Sequence, residues 1–160
     1  EIGCDIEEFD EAVTVDARGK NLTRCNIKTM PHPGFPTDCQ PQFVAMLTSC
    51  NGTSIINENV WDNRYQYISE LQRMDAKISV EGRLAIIEGG TPLKPAQVKA
   101  TDLRAGAAMI IAALTADGTT VISNIHFIER GYEEVVEKFQ QLGADIKKVY
   151  DPEGELAESV

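Results

Sequence analysis

The chain of 160 residues has no apolar run close to the roughly 18 residues that a membrane-spanning helix needs, so the sequence excludes a membrane span. No basic segment followed by an apolar one is found at its start, and no secretory signal peptide is visible. Basic residues are also scarce, because 15 Lys and Arg stand against 25 Asp and Glu. Nucleic acids and anionic membranes both require a basic face, and the net charge of −10 argues against either partner.

Metal-binding and disulfide patterns are missing as well. No Cys-x-x-Cys pair occurs, and His32 and His126 both lie far from a second ligand at metal spacing, so a zinc site has little support. Without a secretory signal, we expect reduced thiols in a cytosolic protein. The four cysteines are Cys4, Cys25, Cys39 and Cys50.

The sequence does contain an internal repeat. Two stretches align, and the offset between them increases by two residues at each loop, as a duplicated unit diverges. The aligned pairs are Thr37-Asp38 with Thr101-Asp102 at an offset of 64, Gly52–Ile56 with Gly118–Ile122 and Arg64 with Arg130 at 66, and Met74 and Ile78 with Leu142 and Ile146 at 68.

Each copy predicts a helix, a strand, a second helix and a second strand. The first helices are expected over Gln42–Ser49 and Leu103–Ala116, and the second helix of the second copy ends at Gly143. Ile78 and Val80 alternate with polar residues, which predicts a strand with one buried face. Further strands are expected over Leu84–Ile87 and Gln97–Ala100.

The N-terminus resembles a third, partial copy, since Ile2–Ile6 aligns with Leu142–Ile146 at an offset of 140. We therefore interpret the chain as a fragment of a longer protein that begins inside the first of three units. The segment Leu103–Leu114 is apolar nearly all round, which predicts a helix buried on every side. This favours an α/β fold with helices inside and sheets outside, over residues 1–150. Residues 151–160 are acidic and aperiodic, and we expect a frayed tail.

Asp38 is the strongest candidate for chemistry. The loop Pro31–Pro36, with three prolines and a glycine, is rigid and delivers Asp38 to the start of a helix. Two interpretations remain open: a plain helix N-cap, or a general base for a hydroxyl group. Asp102 is its counterpart in the second copy, and the capping interpretation suits it better.

Three arginines are candidates for an anion-binding group. Arg64 and Arg130 occupy equivalent turns of the two copies. Arg104 lies close to a helix start, where the helix dipole disfavours a cation, so a nearby acid or a bound anion is expected to compensate it. The alternative is that each arginine simply pairs with one of the many acidic residues.

Five motifs in order resemble one family, the UDP-N-acetylglucosamine 1-carboxyvinyltransferases, which are enolpyruvyl transferases of bacterial cell-wall synthesis. The resemblance runs from about residue 2 to residue 149. It implies an inside-out α/β barrel of βαβαββ units, of which this chain holds two full units and the end of a third. The motifs are PHPGFPTDCQPQF (31–43), GTSI (52–55), VWDNRYQYISELQRM (60–74), KATDLRAGAAMIIAAL (99–114) and ERGYEEVVEKFQQLGADI (129–146).

The resemblance also implies roles for particular residues. Asp38 would bind the 3-hydroxyl of the N-acetylglucosamine unit and take its proton, and Val60 would contact the sugar nucleotide through its backbone. The remaining residues would face phosphoenolpyruvate or the same cleft, with Arg130 pairing the anion. They are Arg64, Asp102, Arg104 and Arg130.

Some of the family's machinery is expected outside this chain. The family's proton-donating loop cysteine and its active-site lysine belong to an N-terminal domain, and no cysteine here lies in the matching motif. Trp61 stands where the family commonly has Phe. We therefore expect a bacterial cytoplasmic enzyme without a cofactor, whose fragment alone is inactive. Two alternatives remain: a non-catalytic binding or structural domain, and the related 3-phosphoshikimate 1-carboxyvinyltransferase.

Overall fold

A computed structural model of the protein describes residues 1–150 and the backbone of residues 156–159. These residues form mixed α/β structure with ten strands and five helices. The strands are β1 (Asp5–Glu8), β2 (Val13–Asp16), β3 (Ile27–Lys28), β4 (Gly52–Asn57), β5 (Lys77–Glu81), β6 (Leu84–Gly89), β7 (Gln97–Lys99), β8 (Val121–Ser123), β9 (Lys147–Tyr150) and β10 (Leu156–Ser159). The helices are α1 (Gln40–Leu47), α2 (Ile68–Arg73), α3 (Leu103–Thr115), α4 (His126–Glu129) and α5 (Val135–Gln141), with 3₁₀ turns at Thr37–Cys39 and Arg64–Tyr67.

Two four-stranded sheets repeat the same topology. Their strand orders are β3-β4-β6-β5 and β7-β8-β10-β9. In each sheet the first pair is parallel and the other two pairs are antiparallel. Each unit therefore has the connectivity βαβαββ, with α4 and α5 of the second unit taking the place of the Arg64–Tyr67 turn and α2 of the first. The duplication read from the sequence is present in the sheets.

A third copy of the end of this unit lies at the N-terminus. Strands β1 and β2 form an antiparallel hairpin, like β5–β6 and β9–β10. The three aligned residues ahead of these hairpins, Gly3, Asp75 and Gly143, all have positive φ, at 109°, 68° and 94°. The same left-handed backbone turn thus leads into each hairpin, although only two of the three positions carry glycine.

One hydrophobic core joins the two units, and α1 and α3 pack against each other within it. Helix α3 is buried over most of its length, but not on every side as predicted, because Leu114 near its end is 41% exposed. A Cβ on Gly106 would lie 2.3 Å from Cγ1 of Ile128, so the glycine allows α4 to approach α3 closely. This close approach brings the start of α3 and the end of α4 to one place, where the candidate residues lie.

Three details differ from the sequence-based expectations. Helix α1 begins two residues earlier and ends at Leu47. Val80 is 42% exposed, because β5 is the edge strand of its sheet and only Ile78 lies over the core. Within the predicted frayed tail, residues 156–159 form β10 between β8 and β9, where hydrogen bonds on both sides hold the strand. Residues 151–155 and 160 lie outside the described residues. Across the described part of the chain, no helix has both the length and the hydropathy for a bilayer crossing.

Candidate functional site

Asp38 is carried by a tight, proline-rich segment. The amide of Met30 donates a hydrogen bond to the carbonyl oxygen of Phe35 at 2.9 Å, and the amide of Gly34 donates one to the carbonyl oxygen of Pro31 at 2.8 Å. These two bonds close the loop. The chain then enters the 3₁₀ turn at Thr37–Cys39. The side chain of Asp38 caps neither this turn nor α1, and it is 52% exposed. The capping interpretation is therefore wrong for Asp38.

The carboxylate of Asp38 instead joins the two repeated units. Arg64 donates from Nη2 to Oδ1 at 3.1 Å, and Arg104 donates from Nη2 to Oδ2 at 2.7 Å. Arg64 belongs to the same unit as Asp38, whereas Arg104 comes from the first turn of α3 in the other unit. The acidic partner expected for Arg104 is thus Asp38, and the site lies at the boundary between the units.

Asp102 occupies the equivalent position in the second unit but has another role. Its Oδ1 accepts hydrogen bonds from the amides of Arg104 at 2.8 Å and Ala105 at 3.0 Å, which makes it the N-cap of α3. A carboxylate at this end also interacts favourably with the helix dipole. The capping interpretation is correct for Asp102, which nevertheless borders the same cavity as Asp38.

Arg64 and Arg130 are equivalent in structure as well as in sequence. The guanidinium of Arg64 lies 5.5 Å from the ring centre of Trp61, and that of Arg130 lies 5.7 Å from the ring centre of Phe127. In both units the arginine thus stacks on the aromatic residue three positions earlier. Arg64 is only 10% exposed, and its Nε has no hydrogen-bond partner within the described part of the chain. Arg130 forms no ion pair with any described carboxylate.

These side chains surround a cavity of about 440 Å³. Five of the six residues predicted from the sequence lie on its wall. The lining residues are Asp38, Trp61, Asn63, Arg64, Gln66, Thr101, Asp102, Leu103, Arg104 and Arg130. Three arginines therefore face two aspartates in a chain that is strongly acidic overall, and this local excess of positive charge suits an anionic ligand.

Val60 is the predicted residue that does not line this cavity. It lies next to Trp61, and its amide donates to Oε1 of Glu58 at 2.9 Å. The amide hydrogen is therefore already used, and the carbonyl oxygen is the backbone group of Val60 that remains for a ligand.

Glu58 was not predicted from the sequence, yet it lies beneath the site. It is 1% exposed and accepts hydrogen bonds from the amides of Val60 and Trp61 and from the hydroxyls of Thr29 and Thr37. Burial alone would raise the pKa of Glu58, but these four donors outweigh it and lower the pKa below its usual value. A sequence signal did exist, because its repeat position holds Asn124, a departure from the duplicated pattern.

Among the described residues, no group of three or more His, Cys, Asp or Glu side chains is placed to hold a metal ion. All four cysteines are free thiols, and Cys39, next to Asp38, is exposed. The site thus offers a carboxylate that can accept a proton and arginines that can bind an anion. That pair of functions suits the transfer of an anionic group to a hydroxyl.

Comparison with known proteins shows the family of the chain. The family described as EPSP synthase (3-phosphoshikimate 1-carboxyvinyltransferase) matches residues 1–139. The chain belongs to this family of enolpyruvyl transferases.

Within the family, the chain is similar to enzymes named UDP-N-acetylglucosamine 1-carboxyvinyltransferase. It is 51% identical over 148 residues to the second such enzyme of Clostridium acetobutylicum, covering 92% of this chain and 35% of the relative. It is 49% identical over 149 residues to the first such enzyme of Staphylococcus epidermidis, covering 93% of this chain and 35% of the relative. The chain therefore spans about a third of the length of these relatives.

Solved structures show the same fold. The enolpyruvyl transferase NikO from Streptomyces tendae superposes with a TM-score of 0.83 at 31% identity, covering 90% of this chain and 33% of that one. The EPSP synthase from Acinetobacter baumannii superposes with a TM-score of 0.69 at 17% identity, covering 98% of this chain and 36% of that one, and supports the fold alone.

Proposed function

We propose that this chain is part of a UDP-N-acetylglucosamine 1-carboxyvinyltransferase and supplies its proton acceptor and part of its anion site. The observation that carries the proposal is the carboxylate of Asp38, held between Arg64 and Arg104 in a cavity that Arg130 also lines, and no described carboxylate pairs with Arg130. The names of the relatives at about half identity support the same activity.

Asp38 acts on the acceptor sugar in this proposal. As the 3-hydroxyl oxygen of UDP-N-acetylglucosamine attacks C2 of phosphoenolpyruvate, Asp38 takes the hydroxyl proton, while C3 gains a proton from a donor outside this chain. The resulting tetrahedral intermediate then loses phosphate from C2 and a proton from C3, which restores the C2=C3 double bond and gives the enol ether. The carbonyl oxygen of Val60 contacts the sugar nucleotide.

The arginines act on phosphoenolpyruvate. Among the described residues Arg130 has no carboxylate partner to displace, and it pairs with the carboxylate or phosphate of the incoming substrate. Arg104 and Arg64 line the same cleft and support the negative charge that moves onto the leaving phosphate, while Asp102 holds the start of α3 in place beside it. Planar guanidinium groups suit both anions because each can donate two parallel hydrogen bonds.

The proposal extends to the whole protein. The β1–β2 hairpin is the last part of a third unit. Together with the two βαβαββ units, this third unit forms an inside-out barrel with buried helices. An N-terminal domain of the same protein closes the cleft and supplies the remaining catalytic groups. The enzyme works without a cofactor in the bacterial cytoplasm, at the first committed step of peptidoglycan synthesis.

Two other functions are weaker. A 3-phosphoshikimate 1-carboxyvinyltransferase has the same fold and chemistry, but the Pro31–Asp38 and Asn63–Tyr65 motifs favour the sugar nucleotide, and the EPSP synthase structure is only 17% identical. A purely structural domain would not require an arginine that lacks a carboxylate partner among the described residues, and a non-catalytic binding domain would not require the adjacent proton acceptor Asp38.

A chimera tests the proposal. This chain replaces the matching segment of the Clostridium acetobutylicum relative, and phosphate release from phosphoenolpyruvate is measured with UDP-N-acetylglucosamine as acceptor. We expect turnover, with a loss of at least about 100-fold in kcat for Asp38→Asn, because general-base groups contribute on this order. Full activity of Asp38→Asn, or activity with shikimate 3-phosphate instead, would contradict the proposal.

A further inference from the structure

Glu58 connects three segments that converge below the candidate site. Its Oε1 accepts hydrogen bonds from the hydroxyl of Thr29 at 2.7 Å and from the amides of Val60 at 2.9 Å and Trp61 at 3.0 Å. Its Oε2 accepts one from the hydroxyl of Thr37 at 2.9 Å. One oxygen thus holds the loop that carries the proposed sugar contact, and the other holds the residue directly before Asp38.

This arrangement consists of a buried charge without a counter-charge. No described Lys, Arg or His forms an ion pair with Glu58, and its side chain is almost completely buried. Four hydrogen bonds offset the loss of hydration, as a buried carboxylate requires. A network in which every donor and acceptor has a hydrogen-bond partner is also rigid. Moving any one donor would leave the buried carboxylate with an unmade hydrogen bond in a medium of low dielectric constant.

The repeat shows what this network adds. In the second unit, Thr101 and Asp102 replace Thr37 and Asp38, and Asn124 replaces Glu58. In that unit Asp102 is held in place because its side chain caps α3. In the first unit the aspartate caps nothing and faces the cavity, and only there does a buried carboxylate bind the preceding threonine.

We propose that Glu58, acting through the hydroxyl of Thr37, is a positioning residue that fixes Asp38 relative to the Val60–Trp61 backbone. The proposal rests on the proposed function, in which Asp38 accepts the proton and Val60 contacts the sugar. Glu58 touches neither substrate, and it contributes geometry to the transition state. A misplacement of about 1 Å at a reacting group costs on the order of 100-fold in rate, so a hydrogen bond one residue from Asp38 has a measurable effect.

The test uses the chimera described above and variants at Thr37. Thr37→Val replaces the hydroxyl by a methyl group of similar size and breaks only the bond to Oε2. We expect kcat to fall about 10-fold or more, while KM for UDP-N-acetylglucosamine and for phosphoenolpyruvate changes less than about 2-fold. Thr37→Ser keeps the hydroxyl and restores kcat to within about 2-fold of the parent.

Two further variants separate positioning from stability and from direct chemistry. Thr48→Val removes another buried hydroxyl, whose bond to the carbonyl of Ala45 lies at the end of α1 away from the site, and leaves kcat unchanged. Glu58→Gln keeps Oε1 as acceptor, and its Nε2 donates to Thr37 in the reverse direction, so kcat stays within about 5-fold.

Each outcome has a defined meaning. If Thr37→Val matches the parent or Thr37→Ser fails to restore kcat, Glu58 does not position Asp38. If Glu58→Gln loses more than about 5-fold in kcat, the carboxylate acts through its charge, and the positioning role is wrong. Failure of the proposed function gives a different result, because Asp38→Asn would then be as active as the parent chimera.

Discussion

Replacing Asp38 by Asn should strengthen the binding of phosphoenolpyruvate, although the same change removes the proposed proton acceptor. In the structure, Asp38 forms ion pairs with Arg64 and Arg104, and an incoming anion competes with Asp38 for these cations. Asp38→Asn removes the competing charge and keeps the size of the side chain.

The magnitude follows from the distances and the exposure. Oδ2 of Asp38 lies 2.7 Å from Nη2 of Arg104, so an anion on the same guanidinium would lie roughly 4 Å from the carboxylate. Because Asp38 is 52% exposed, the effective dielectric constant is close to that of water, and the repulsion amounts to about 1 kcal/mol. That energy corresponds to an affinity about 5-fold higher in the variant.

Tryptophan fluorescence measures this affinity directly in the 160-residue chain. Trp61 is the sole tryptophan, it is 58% exposed, and it lines the cavity. Titrations with phosphoenolpyruvate at low and high salt should show an advantage of Asp38→Asn that shrinks as salt screens the charges. Asp62→Asn is the matched control, since Asp62 follows Trp61 but pairs with Arg83 outside the cavity wall.

Equal or weaker binding by Asp38→Asn would refute this reasoning. It would mean that Asp38 holds the two arginines in their binding arrangement more than it competes for them.

Three further predictions concern single residues. Arg130→Gln should reduce phosphoenolpyruvate affinity at least about 10-fold in the same titration, while urea unfolding changes by less than about 0.5 kcal/mol, because no described carboxylate loses a partner. Asp102→Ala removes the cap of α3 and should lower the free energy of unfolding by about 1 kcal/mol, whereas Asp102→Asn should retain most of it. The pKa of Glu58 is lowered in the folded state from 4.5, so its ionised form stabilises the fold above that pH and this contribution is lost as pH falls further. Glu58→Gln should therefore be less stable than the parent at neutral pH, and the difference in urea unfolding should shrink as pH falls below 4.5. A pH-independent difference would contradict the lowered pKa.

Much of the fold could be predicted from the sequence because the repeat is visible in it. Two units with the same connectivity were located from the aligned Thr-Asp pairs, Gly-Thr strands and arginines. The apolar composition of α3 predicted that this helix lies inside. The β10 strand was missed for a physical reason. Its acidic sequence resembles a solvated tail, and the strand forms only by pairing with β8 and β9, which a local sequence pattern does not reveal.

The site was predictable only in part. Motifs located the residues around the cavity, but the sequence could not decide between capping and chemistry for Asp38 and Asp102, since both follow a threonine before a helix. Tertiary structure decides, because Arg104 reaches Asp38 from the other unit. The role of Glu58 was not predicted for a similar reason, because its four hydrogen-bond donors come from three separate segments of the chain.

Recognition of the sugar nucleotide is the central claim, and an NMR titration of the 160-residue chain tests it most directly. UDP-N-acetylglucosamine and shikimate 3-phosphate are added separately while the amide signals of Asp38, Val60 and Trp61 are followed. We predict saturable shifts of these amides with UDP-N-acetylglucosamine and none with shikimate 3-phosphate. Shifts with shikimate 3-phosphate alone, or none with either ligand at millimolar concentration, would contradict the claim that this chain holds the sugar-binding residues.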